Sequence, residues 1–187
     1  MRARCAARSV DGVRDALSAW TDFHVAVAGT GGALGGLLVV ALSVNVRQIA
    51  GSRGLAARAA AAIASVVLGV VLACVALVPG LSLPGFGAVV LVGAVLAGAV
   101  TAVAIRYLLV AGPDGAHDAD GRGGTVGVAA EALRAGLLVL PVLAFFVGGV
   151  LLAADVRGGL VAVAIGTLTA LVGAVVFSWV ALVEILR

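Results

Sequence analysis

From Ala59 to Ile105 the chain runs 47 residues without a charged side chain. An apolar run beyond about 18 residues reads as a membrane span. About 20 residues rising 1.5 Å each already cross the ~30 Å hydrocarbon core of a bilayer, so one helix would overshoot it. The run interrupts itself at Val78-Pro79-Gly80-Leu81-Ser82-Leu83-Pro84-Gly85, where Pro and Gly punctuate a tight turn. Two spans, 56–78 and 86–109, are therefore expected as a hairpin. Three further charge-free stretches, 25–46, 135–154 and 158–183, supply spans at 24–46, 128–153 and 158–183. The expected fold is all-α, a polytopic membrane bundle of five transmembrane helices. Composition agrees: 63% of residues are hydrophobic and 11% charged, against about 45–50% and 25% in soluble domains. Pro141 lies within the fourth span and should kink it, a distortion that neighbouring helices can accommodate.

Eleven of the 21 charged residues lie in a tail and a linker. Residues 1–23 carry four Arg and three Asp. The apolar stretch that follows exceeds the 7–15 residues of a signal peptide and shows no cleavage site, so an anchored tail is expected rather than a removed leader. Val10, Val13, Leu17 and Trp20 recur at helical spacing among Asp11, Arg14, Asp15 and Ser18. That pattern suits a short N-terminal amphipathic helix lying in the membrane interface, with a frayed polar tail as the plainer alternative. The linker, 112–124, holds Asp114, His117, Asp118, Asp120 and Arg122.

An odd number of spans puts the termini on opposite sides. Cytoplasmic loops are enriched in Lys and Arg. With the amino terminus outside, the inner segments hold Arg47, Arg53, Arg58, Arg106, Arg122, Arg134 and Arg187. The outer segments hold Arg157 together with Arg2, Arg4, Arg8 and Arg14 of the tail. The charge-free Pro/Gly turn also suits the outer face, so the expectation is N-out and C-in in a bacterial inner membrane. All twelve cations are Arg, which reads as GC-rich coding. The net charge of +3 without a dense basic cluster gives no footprint for nucleic acid.

Gly29-Thr30-Gly31-Gly32-Ala33-Leu34-Gly35 superficially mimics a dinucleotide-binding turn. That fingerprint needs a preceding strand and an acidic residue about 20 positions on, and residues 45–58 contain no acid. Gly31 with Gly35, and Gly32 with Gly36, are instead small residues four apart that let helix backbones approach. Gly166, Ala170 and Ala174 repeat the device on the fifth span. At mid-span the polar side chains are Ser65, Cys74, Thr101, Thr167 and Thr169. Each can satisfy itself on its own helix. A proton-coupled transporter would place a carboxylate or His there, and this chain does not.

Charges and amides gather at helix ends. Asn45 and Arg47 close the first span, Arg58 opens the second and Arg106 closes the third. Glu131 and Arg134 open the fourth, and Glu184 and Arg187 close the fifth; each Glu–Arg pair is spaced to share a helical face. One reading is interfacial snorkelling with ordinary ion pairs. The sharper one is a cytoplasmic polar cluster of Asn45, Arg47, Glu131, Arg134 and Glu184, forming a vestibule or docking surface. His24 is expected as an isolated interfacial residue at the outer end. His117 with its neighbouring Asp residues reads as a solvated linker rather than a metal patch. Cys5 and Cys74 lie in unlike settings and show no metal spacing, so neither a disulfide nor a metal is expected. No Ser/His/Asp or Cys/His constellation shares a depth, so no catalytic residue, enzymatic activity or cofactor is expected.

The stretches Phe23–Gly29, Leu37–Arg47, Leu77–Gly80 and Trp179–Arg187 resemble a family of small five-span bacterial, actinobacterial-type, integral membrane proteins of uncharacterised function. Some of its members are described as modulators of a membrane-bound protease. The resemblance implies five helices and a cytoplasmic carboxyl end, and carries over no catalytic residue. The expected role is a non-enzymatic, multi-pass subunit that binds or modulates a membrane-protein partner through its cytoplasmic polar face. The alternative is a small channel or transporter subunit acting as a homo-oligomer. The bilayer itself is the remaining partner.

Overall fold

The computed structural model describes residues 17–44, 53–110 and 125–185, with side chains at 17–44, 56–107 and 136–179. Five helices make up the fold: α1 (Thr21–Val44), α2 (Arg53–Ala76), α3 (Leu83–Val110), α4 (Thr125–Ala153) and α5 (Gly159–Ile185). Each contains a segment long and apolar enough to cross a membrane, and the described residues form no strand. The outward faces are mostly apolar, with Leu37, Val40, Leu96, Leu143, Leu168 and Trp179 all exposed. In water such surface would drive association; in lipid tails it meets a solvent of its own kind.

Helices α2, α3, α4 and α5 form a four-helix ring in which each packs on the next and α5 returns to α2. Helix α1 lies outside this ring, against α2 and α5. Consequently 56% of the membrane window of α2 is buried, against 17% for α1. The sequence of α2 explains its place as the hub. Its buried face is built from Ala59, Ala61, Ala62, Ser65, Gly69, Ala73 and Ala76, small enough to bring several neighbours close at once. Larger side chains fill the space that remains. Leu72, Leu83, Phe86, Val90, Phe145, Leu152 and Leu160 form one core at the end of the bundle where α1 begins, and Leu38, Val66 and Ala174 form a smaller one toward the other end.

The turns show why the helices stop where they do. Between α2 and α3, Gly80 has φ 80° and the Leu81 amide donates to the Val78 carbonyl at 3.4 Å. With Pro79 before it, this is a type II turn. Ser82 then caps α3, its Oγ accepting from the Gly85 amide at 3.2 Å. The cap starts α3 at Leu83, three residues before the expected span, because Pro84 lacks an N–H that the first helical turn would leave unpaired anyway. Helix α4 ends in a Schellman motif: the Val156 amide donates to Leu151 at 2.8 Å and the Asp155 amide to Leu152 at 3.0 Å. Asp155 occupies the left-handed position, φ 60°, where glycine is usual.

Helix α4 runs through Pro141 without breaking. Proline removes the hydrogen bond to the carbonyl four residues back, here Leu137. That oxygen faces Gly173 of α5, 3.5 Å from where a Cβ would stand. Glycine thus leaves open the space into which the freed carbonyl projects. The tail proposed as amphipathic falls largely outside the described residues; Leu17 and Ser18 are helical, and a turn at Ala19–Trp20 leads into α1.

Candidate functional site

Within the spans six hydroxyls turn back onto their own helices. Ser65 donates to the Ala61 carbonyl at 3.1 Å, Thr101 to Ala97 at 2.9 Å and Thr167 to Val163 at 2.9 Å, and all three are buried. Thr30 and Ser43 of α1 donate to Ala26 and Val39, and Thr169 shares its proton between Ile165 and Gly166. A hydroxyl bonded four residues back meets its need without a partner helix. Cys74 is free and exposed on α2, whereas Cys5 lies outside the described residues.

The antiparallel topology assigns the polar helix ends to one end of the bundle. Glu131 and Arg134 lie in the first turns of α4, and Glu184 in the last turn of α5; their side chains lie outside the described ones. Asn45 and Arg47 follow the last described residue of α1 and are themselves outside the described residues, as are His117 and its aspartates. At the same end, Arg58 near the start of α2 is half-buried and engaged, and Arg106 near the end of α3 is exposed. Among the described residues no group of three or more His, Cys, Asp or Glu could hold a metal ion.

The five glycines of α1 separate into two faces. A Cβ on Gly31 would stand 2.7 Å from Val70 Cγ2, and one on Gly35 would lie 3.8 Å from Val66 Cγ1, so both face α2. Gly32 and Gly36 meet nothing within 4 Å, and neither does Gly29. A groove of about 370 Å³ runs between this part of α1 and Val66, Val67, Val70 and Val71 of α2. Spacing alone paired Gly31 with Gly35 and Gly32 with Gly36; which pair the bundle uses follows only from where α2 lies.

His24 departs most from its sequence expectation. It stays at the helix end, as expected, but it is not isolated: it is 4% exposed in the first turn of α1, against the bundle end. Its ring lies 5.6 Å from Phe23 and 6.3 Å from Phe86 of α3, both edge-on, and Phe23 in turn meets Trp20 at 5.5 Å. Nε2 is buried without a hydrogen-bond partner among the described residues. Local spacing gave one available signal, Trp20 and His24 being one helical turn apart. Contact with Phe86 depends on the return of α3 and could not be read locally.

No family model, curated protein or solved structure matches the chain.

Proposed function

We propose that this chain is a multi-pass subunit of a bacterial plasma membrane, oriented N-out and C-in, that works by binding another membrane protein rather than by catalysis. The observation supporting this reading is the common end of the bundle to which the starts of α2 and α4 and the ends of α3 and α5 converge. The charged positions of these helices lie toward that end in the sequence, while the buried hydroxyls of Ser65, Thr101 and Thr167 are spent on their own backbone. On this reading Glu131, Arg134 and Glu184, with Asn45 and Arg47 beyond α1, form a cytoplasmic docking platform, and the amino-terminal segment rests along the opposite interface as an amphipathic helix.

In-membrane cross-linking followed by mass spectrometry tests the proposal. A stable heterologous partner whose yield falls in an Asn45→Ala/Glu131→Ala variant, with normal accumulation of the chain, is expected. An unchanged partner yield in that variant would remove the platform. Fusion reporters placing the carboxyl terminus outside would move the cluster to the wrong face.

A second reading, an oligomeric channel or transporter subunit, is favoured by the open Gly29–Gly32–Gly36 face of α1, since small residues permit close helix association. Its signature would be cross-linked homo-oligomers and solute flux in liposomes containing only this protein.

A further inference from the structure

His24 is 96% buried, yet its Nε2 has no hydrogen-bond partner among the described residues. Buried polar atoms are paired in the great majority of cases, and an exception calls for an explanation. Its surroundings are aromatic and aliphatic, with Phe23 and Phe86 edge-on to the ring. One turn earlier the chain folds onto the bundle. The Trp20 amide donates to the Leu17 carbonyl and the His24 amide to the Trp20 carbonyl, each at 3.0 Å. Leu17 is buried in the core formed by Leu72, Leu83, Phe86 and Leu152, and Trp20 packs against it. The segment 17–24 therefore crosses the end of the four-helix ring as a strap, with an imidazole at its foot.

We propose that His24 is a proton-operated latch: with a neutral imidazole the strap is seated, and protonation of the ring unseats Leu17 and Trp20 from the bundle end. In the cation both ring nitrogens are donors, so Nε2 then carries an N–H with no acceptor, and the ring a charge with no counter-ion, among the described residues. Imidazole is the side chain whose charge ordinarily changes between about pH 5 and 8.

The described titratable and charged groups at this end give no relief inside the seat. On its own helix there is Asp22, which is exposed; α2 contributes Cys74, also exposed; and the α4–α5 turn contributes Asp155 and Arg157, both exposed. The charged and phenolic residues of α3, Arg106 and Tyr107, lie at its other end. None of these groups partners Nε2. Asp11, Arg14 and Asp15 precede Leu17 in the sequence and lie outside the described residues. Ring faces attract a cation but accept no conventional hydrogen bond and do not replace the water that the imidazolium loses. By lifting away, the strap brings the ring to water at the level of Asp22 and leaves the four-helix ring intact.

The test uses the full chain in nanodiscs. Trp179→Phe leaves Trp20 as the sole tryptophan. Lowering the pH from about 8 to 5 should shift Trp20 emission to the red and raise its quenching by acrylamide, reversibly. In a His24→Phe variant on that background both readouts should stay at their high-pH values, whereas Asp22→Asn should still respond. Hydrogen exchange on the unsubstituted chain keeps the test independent of those variants. After correction for intrinsic rates, protection of amides in 17–27 should fall about ten-fold or more at low pH while 86–97 stays protected. Equal protection of 17–27 at both pH values, or a pH response that persists in His24→Phe, would overturn the latch.

Discussion

Between α3 and α4 a Cβ built on Gly87 would lie 2.8 Å from the carbonyl carbon of Leu152, whereas on α1 a Cβ built on Gly32 or Gly36 would meet nothing within 4 Å. The first glycine is where two backbones touch. Gly148 and Gly159 repeat this between α4 and α5, where a Cβ on Gly159 would stand 2.7 Å from the Gly148 carbonyl oxygen. Apolar association gains nothing between helices already in lipid, so contact of this kind, and not expulsion of water, holds the ring together. Glycine on the outer face of α1 contributes no such contact within the chain. The same residue type thus builds the closed α3–α4–α5 side and leaves the α1 side open.

Gly87→Leu should break this comparison most sharply. Its side chain would have to displace backbone atoms of α4, and overpacking of that kind costs about 1–3 kcal/mol or more. A lower midpoint in an SDS titration from mild detergent is expected. An unchanged midpoint would mean that α3 and α4 do not touch there.

Gly31→Leu and Gly32→Leu, adjacent residues on one helix, sharpen the contrast next. At Gly31 the obstacles are a stiff Val70 methyl and the end of Leu171, side chains and not backbone, so a loss at the lower part of about 1–3 kcal/mol is expected. Gly32→Leu should leave the fold within about 0.5 kcal/mol. If α1 carries an oligomer interface, Gly32→Leu should nevertheless abolish homo-oligomer cross-links that Gly31→Leu preserves. Equal destabilisation by the two substitutions would contradict the two-faced assignment of α1.

The turn into α3 comes third. Ser82→Ala removes the side-chain acceptor of the Gly85 amide, and loss of such a cap costs about 1 kcal/mol. A thermal melt in detergent should register it, and Ser82→Asp should recover most of the loss because Asp caps as well as Ser.

What could be read from the sequence follows from the range of the interactions involved. The spans were legible because lipid demands an uninterrupted apolar run that meets every backbone hydrogen bond internally. Pro79 and Gly80 also declared their turn, since left-handed φ and a fixed proline φ are local properties. The start of α3 was not legible from Pro84, which reads equally as a breaker and as a first-turn residue; the Ser82 cap decides it. The two faces of α1 and the burial of His24 were beyond local reading. Both depend on which helices come to lie beside α1, and glycine spacing or a single His carries no such information. The hydroxyls stand between these cases, their helical partners being fixed by the chain itself.

Those hydroxyls supply the finest comparison. Thr167 of α5 and Thr101 of α3 are buried on different helices, and each donates to the carbonyl four residues back. If that bond is their whole polar engagement, Thr167→Val and Thr101→Val keep the branched shape and remove only an intrahelical hydrogen bond. Polar bonds in membrane bundles average about 0.6 kcal/mol, so each variant should shift stability by no more than that. With no shared hydrogen-bond partner between them, the double variant should be additive within about 0.5 kcal/mol. An SDS titration of the two singles and the double measures both quantities. A larger single effect, or a coupling well above that margin, would mean that the hydroxyls communicate across the bundle. The ring interior would then be a polar path, and the channel reading would gain at the expense of the binding subunit.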